Sequence, residues 1–236
     1  STLCQAITGL VPNFFKGAYG GRVLVDGVEV AKEEVAEIAT RVGIVFQNPF
    51  TQIAGSKLTV YEEVAFGLEN LGIPRAEMKK RIDEALELLD IAALRDRNPF
   101  DLSGGQMQRL AIAGIIAMKP EIIVLDEPTS QLDPQGSEEV FQAVEKLSRE
   151  GMTVLMVEHK IEKIAAYADQ VLLLHAGKLI AFDKPSKVFS QADLADYGIV
   201  PPVFTRVCKD LNITTADGLF PVTLEEAYDK VVEILA

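Results

Sequence analysis

The sequence is poor in cysteine, poor in positive charge and without a long apolar run. Its two cysteines, Cys4 and Cys208, lie far apart. That excludes the dense disulfide framework of small secreted domains and argues against a thiolate metal site; reduced thiols in a cytosolic protein are expected. Basic residues are in deficit, 23 against 35 acidic, for a net charge of −12. The chain as a whole lacks the basic footprint of a general nucleic-acid binder, and no nucleic-acid partner is expected. No apolar run approaches the length that spans a bilayer, and no signal peptide is visible. Any membrane role is therefore expected to come through partner subunits. What the chain does have is apolar content: 48% of 236 residues are hydrophobic. That suffices for a sizeable core, as one large domain or as a domain with an inserted lobe and a tail.

Hydrophobic periodicity organises the chain. Thr2–Thr8 reads as a helix that stops near Gly9. "GRVLVDGVEV" alternates around Asp26-Gly27, a hairpin signal with a primed turn. Glu33–Thr40 reads as a short helix and "RVGIVF" as a short buried strand. From Thr59 to about Leu94 the pattern is helical, with Ile82, Ala85, Leu86 and Leu89 at core-facing spacing. A further helix is expected from just after Ser103 to Met118. "EIIVLDEP" is a strand, Gly136–Arg149 a helix, "MTVLMVEH" a strand and Ile161–Ala168 a short helix. "QVLLLHAGKLIAF" reads as a hairpin turning at Ala176-Gly177. After "VPPVF" two amphipathic helices are expected, near Phe204–Leu211 and Thr223–Leu235. Alternating strands and helices predict an α/β core with a mainly parallel sheet.

Two motifs carry chemistry. In "IIVLDEP" an apolar strand ends in Asp126-Glu127, placing two carboxylates at the carboxyl edge of a parallel sheet, where α/β proteins bind ligands. In a nucleotide hydrolase the first holds Mg²⁺, usually through water, and the second orients or deprotonates the attacking water. A strand followed by an acidic turn is the plain structural alternative. In "LSGGQMQRLAIA", Ser103, Gly104, Gly105 and Gln106 stand at a helix entrance. Glycines admit an anion close to the backbone, and free N–H groups meet it there. A helix cap on a flexible loop is the alternative reading.

Together these strings resemble the nucleotide-binding subunit of an ATP-binding cassette (ABC) transporter. "LSGGQ" matches that family's signature motif, "IIVLDE" its Walker B, "SQLD" (Ser130–Asp133) its D-loop, Gln47 in "VFQNP" its Q-loop and His159 in "VEHK" its switch histidine, all in the family's order. The resemblance covers nearly the whole chain. It implies a P-loop NTPase-like core over 1–200, an inserted α-helical subdomain over 48–105 and a C-terminal helical extension over 201–236. It implies ATP and Mg²⁺ as cofactors. Glu127 would be the catalytic carboxylate, Gln47 would contact Mg²⁺ or the attacking water, and His159 would contact the γ-phosphate. Asp126 would serve the metal, and Asp133 would couple two sites across a dimer.

"STLCQAITGL" then resembles the residues that follow Gly-Lys in a Walker A motif, G-x-x-x-x-G-K-[ST]. Ser1 is aligned with the Mg²⁺-binding hydroxyl and Thr2 with the next phosphate contact. The glycines, the lysine, the upstream strands and the aromatic that stacks on adenine are absent from this sequence. Because Gln47, Asp126, Glu127 and His159 all remain suited to hydrolysis, a longer natural chain is expected; without that segment the polypeptide would be inactive alone.

"VFQNPFTQIAGSKLTVYEEVAFGLENLGIP" and the tail resemble the ATPases of energy-coupling factor transporters, which drive vitamin and metal-ion uptake. The resemblance implies a head-to-tail dimer with a second ABC ATPase subunit, the same or different. It also implies integral membrane coupling and substrate-binding subunits, and a place on the cytoplasmic face of the membrane. Gln131 departs from the small residue more usual in that D-loop. The competing readings are a soluble cassette ATPase of translation or repair, whose coiled-coil arms, zinc modules or basic linkers are not visible here, and a degenerate cassette that only lends its signature motif to a partner.

Overall fold

The computed structural model describes residues 1–235. They divide into two compact units, Ser1–Glu158 and the residues from His159 onward. The first opens on helix α1 (Thr2–Ile7), which stops at Gly9 with φ +75°, and a short segment, α2 (Leu10–Asn13), whose helical course is broken by extended backbone at Val11. Strands β1 (Leu24–Val25) and β2 (Val28–Glu29) pair antiparallel. Asp26 and Gly27 between them both have positive φ, 49° and 76°, the conformation of the primed turn that Asp-Gly favours. Helix α3 (Val35–Arg41) runs directly into β3 (Val42–Val45).

The helical pattern of Thr59–Leu94 folds as two helices, α4 (Val60–Asn70) and α5 (Arg75–Leu88), followed by a 3₁₀ turn at Ala92–Leu94. Gly72, at φ +66°, and Pro74, which cannot donate to a continuing helix, make the break. Ile82, Ala85, Leu86 and Leu89 are buried as the spacing predicts. Helix α6 (Gly104–Ala117), β4 (Ile122–Asp126), α7 (Pro134–Arg149) and β5 (Thr153–Val157) complete the unit.

The central sheet is parallel, in the order β3-β4-β5. Strand side chains alternate between faces, and here each face meets a different core. Ile123 and Leu125 of β4 pack with Val45, Val154 and Met156 against α4–α7. Ile122 and Val124 pack with Val42, Ile44, Leu155 and Val157 against Cys4 of α1 and Ile38 of α3. Each fully buried branched side chain contributes about 1.5–3 kcal/mol. Helix α6 lies so close to β3 that a Cβ on Gly43 would stand 2.1 Å from Ile115 Cγ2.

In the second unit α8 (Ile161–Tyr167) precedes the hairpin of β6 (Val171–His175) and β7 (Lys178–Asp183), with Ala176 and Gly177 at φ 49° and 74°. A helix that the sequence pattern does not signal, α9 (Pro185–Phe189), follows; then come α10 (Val203–Asp210) and α11 (Leu224–Leu235), each within a residue or so of expectation. Ala165, Phe189, Leu194 and Val222 form one small core, and Cys208, Ile213 and Ala227 another. The fold is thus α/β around a parallel sheet. Among the described residues no helix is long and apolar enough to cross a membrane.

Candidate functional site

The alternation that splits β4 between two cores also aims its last residue. Asp126 has the parity of Ile122 and Val124, so it faces α1, where the Ser1 amino nitrogen lies 3.5 Å from Asp126 Oδ1. The carboxylate is buried, and Oδ1 accepts no hydrogen bond. A buried acceptor without a donor is uncommon and calls for an account. Ser1 caps α1 without spending its hydroxyl on the cap. A buried carboxylate oxygen that accepts no hydrogen bond, with Ser1 next to it, suits a hard divalent cation that keeps water and phosphate oxygens as its other ligands. Thr2 follows as the first residue of α1.

Glu127 leaves the strand at φ +51°, a left-handed conformation that is rare for a non-glycine residue and concentrates at functional sites. Its N–H donates to Val157 of β5 (3.0 Å), and its carbonyl accepts from Ser130 (3.2 Å), which holds the kink. The side chain meets Gln47: Gln47 Nε2 donates to Glu127 Oε2 at 3.0 Å. Two residues eighty positions apart in the sequence are thus joined at the end of the sheet, next to Asp126. Just beyond, the Thr129 hydroxyl bonds the Glu158 carboxylate, tying the segment after β4 to the end of β5.

Ser103, Gly104, Gly105, Gln106 and Asp133 form a second cluster, lining an open recess of about 430 Å³. Ser103 Oγ accepts from the Gln106 N–H at 3.3 Å and Gln106 Oε1 accepts from the Ser103 N–H at 3.1 Å, a reciprocal capping box. Both side chains therefore shape the loop, and the helix end beneath it keeps its positive dipole. Asp133 caps α7, accepting from the Gly136 N–H at 2.7 Å. A Cβ on Gly105 would meet Gly136 Cα at 3.1 Å, so the starts of α6 and α7 touch backbone to backbone. Under them Arg109 Nη2 pairs with Glu139 at 2.9 Å, while Nη1 donates to Leu89 O at 3.1 Å. His159 is the exposed first residue of the second unit, one position before the residue that caps α8.

Several participants escape motif reading. Arg109 is signalled only as a lone charge in an apolar helix. Gln52, whose amide bonds the backbone of Ile44 and Phe46, carries no signal beyond its place after an Asn-Pro turn. Glu63 accepts from the Ala54 N–H at 2.7 Å, while its other oxygen, also buried, has no hydrogen-bond partner; burial pushes its carboxyl above the ordinary range, opposed by the Ala54 bond and by Lys57. Burial, then the Asp126 charge, push the Cys4 thiol up, and burial does the same to Cys208, so both are poor nucleophiles.

A parallel sheet whose central strand ends in a buried aspartate and a kinked glutamate bonded to a loop glutamine is the layout of a nucleotide-hydrolysing α/β ATPase. Comparison with known proteins narrows the class. The family model described as ABC transporter matches residues 1–130. An ABC transporter ATP-binding protein of Pyrococcus abyssi is 44% identical over 214 residues, 90% of this chain and 76% of the relative. An energy-coupling factor transporter ATP-binding protein of Clostridium tetani is 39% identical over 243 residues, 99% of this chain and 81% of the relative. The solved structure of cbiO1 from Clostridium perfringens, part of the ABC transporter complex cbiONQ, superposes with a TM-score of 0.73 at 31% identity, covering 89% of this chain and 79% of that one. The chain belongs to the ABC transporter ATPase family, whose members bind and hydrolyse ATP.

Proposed function

We propose that this chain powers a membrane uptake transporter of the energy-coupling factor kind, carrying a vitamin or a metal ion, from the cytoplasmic face of the membrane. Its partners are a second ATPase subunit, arranged head to tail, and membrane subunits for coupling and substrate binding. The names of the relatives support the transporter over a soluble cassette of translation or repair. We keep 48–105 as the helical subdomain that addresses the membrane partner and 201–236 as the C-terminal extension.

One observation carries the catalytic reading: the Gln47–Glu127 bond, on the residue next to the buried Asp126, whose Oδ1 accepts no hydrogen bond. Glu127 takes the proton of the attacking water and aims its lone pair in line with the γ-phosphate. Gln47 holds the carboxylate in place and would contact the metal or that water. Asp126, with the Ser1 hydroxyl, would hold Mg²⁺, and Thr2 an adjoining phosphate. Bound Mg²⁺ supplies charge neutralisation on the phosphate oxygens. His159 contacts the γ-phosphate. Ser103, Gly104, Gly105 and Gln106 cover the ATP of the partner subunit, and Asp133 couples the two sites. ATP closes the dimer because the γ-phosphate has contacts only in the closed state.

The test is Glu127→Gln in the full-length protein assembled with its partners. Removing a general base costs about 10²–10⁴ in rate. The variant is expected to bind ATP, remain dimeric and turn over at least about a hundredfold more slowly. Normal turnover would overturn the role of Glu127.

A further inference from the structure

We propose that Gln52 is a positioning residue for Gln47, closing the loop from which Gln47 reaches Glu127; the inference rests on the reading of Gln47 and Glu127 given above. Gln47 is an exposed residue on a long, flexible side chain, two positions beyond the end of β3. Its 3.0 Å bond to Glu127 requires a fixed backbone beneath it.

The following residues supply that backbone by folding back on the strand. Asn48 caps a 3₁₀ turn over Pro49–Thr51: its Oδ1 accepts from the Phe50 N–H at 3.1 Å, and its carbonyl accepts from the Thr51 hydroxyl at 2.7 Å. Pro49, with its φ preset, suits the first position of the turn. The reversal returns Gln52 to the strand. Gln52 Oε1 accepts from the Phe46 N–H and Gln52 Nε2 donates to the Ile44 carbonyl, both at 2.8 Å.

A residue's carbonyl and the N–H two places later point to the same side of a strand. The primary amide of Gln52 therefore makes the pair of bonds that the N–H and C=O of one residue of a neighbouring parallel strand would make. Among side chains only an amide offers a donor and an acceptor side by side in this way, and asparagine is one carbon shorter. Gln47 thus leaves from a closed ring running from Phe46 through the turn to Gln52.

The role is positional because the local burial is modest. Ile44, Phe46 and Gln52 are each only half-buried, so water can take over both bonds in a variant without leaving a buried group unpaired. The sheet should survive the loss; the aim of Gln47 should not.

The experiment compares Gln47→Ala, Gln52→Met, Gln52→Glu and the double variant Gln47→Ala/Gln52→Met in the full-length protein within its transporter complex. Met keeps the length and removes both bonds; Glu keeps the acceptor and removes the donor. Gln52→Met is expected to lower kcat about tenfold or more with KM for ATP within about twofold, since small misplacements of a catalytic group act on kcat. Gln52→Glu should fall between it and the parent. The double variant should be no slower than Gln47→Ala. Hydrogen exchange at the Phe46 amide, read without nucleotide, should quicken about tenfold in Gln52→Met while the global unfolding transition stays in place. Normal activity in Gln47→Ala would overturn the reading of Gln47 and this inference with it. A slow Gln47→Ala with a normal Gln52→Met would overturn this inference alone. So would a double variant slowed by the product of the two single effects, or an unchanged Phe46 amide.

Discussion

The loop from Gln47 to Ala54 and the loop that opens α6 at Ser103 both present polar residues proposed to serve ATP, and they are held in opposite ways. The α6 loop is anchored locally. Ser103 and Gln106 cap one another, Gly105 rests on Gly136, and Arg109 locks the same helix to Glu139 of α7. It can move only with its helices. The Gln47 loop is anchored at a distance: Gln52 grips the main chain of β3, and Ala54 is gripped by Glu63 of α4. A shift of α4 relative to the sheet must be absorbed between those two grips, close to Gln47. One loop is a rigid fixture and the other is a link, and the difference lies in where the bonding partners sit.

Three further substitutions would break or sharpen that contrast. The largest effect is expected from Arg109→Met. It leaves Glu139 without its partner and frees the Leu89 carbonyl. Breaking a buried ion pair costs about 3–5 kcal/mol; because Glu139 keeps a third of its side chain in water, about 2–4 kcal/mol is expected. Chemical denaturation measures it, and a loss below about 1 kcal/mol would remove Arg109 from the fixture. Ser103→Ala should cost about 1 kcal/mol, the usual worth of an N-cap, read by the same transition. A neutral outcome would mean that the Ser103 hydroxyl is not one of the anchors of the loop.

The smallest effect is a pH signature. Because burial raises the Glu63 carboxyl above its ordinary value of 4.5, the folded state holds that proton more tightly than the unfolded state does. The resulting stabilisation is complete below the ordinary value and is lost as pH rises through the folded one. Glu63→Gln keeps an acceptor for Ala54 and has no charge to bury. Its stability relative to the parent should therefore grow as pH rises from the acid side to neutrality. A difference that stays flat with pH, or runs the other way, would mean that Glu63 is ionised in the folded protein at no cost.

The elements were legible because their signals are periodic or confined to a few neighbouring residues. The strand "IIVLD", the Asp26-Gly27 and Ala176-Gly177 turns and the helix after Ser103 all follow from alternation, positive-φ turn residues or capping. The gathering of Gln47 with Glu127, and of Ser1 with Asp126, was expected only through resemblance to a family, because no local pattern joins residues so far apart. What stayed hidden has no period at all. Gln52 bonds backbone that any residue could supply, Gly136 matters through a contact with another helix, and α9 is too short at Pro185–Phe189 for a periodic signal. The break between α4 and α5 was visible as Gly72-Ile73-Pro74 but is outweighed in the sequence by the helical spacing on either side.

Strand β4 has one last consequence. The phase that sends Ile123 and Leu125 to one core and Ile122 and Val124 to the other also decides which way Asp126 faces. A frame slip of one residue along this strand would exchange its two hydrophobic inventories and rotate the carboxylate away from α1 in the same stroke. Misassembly at the edge that carries Asp126 is therefore also misassembly of the hydrophobic interior. Such a slip is expected to show in the stability of the fold as well as in the aim of the carboxylate.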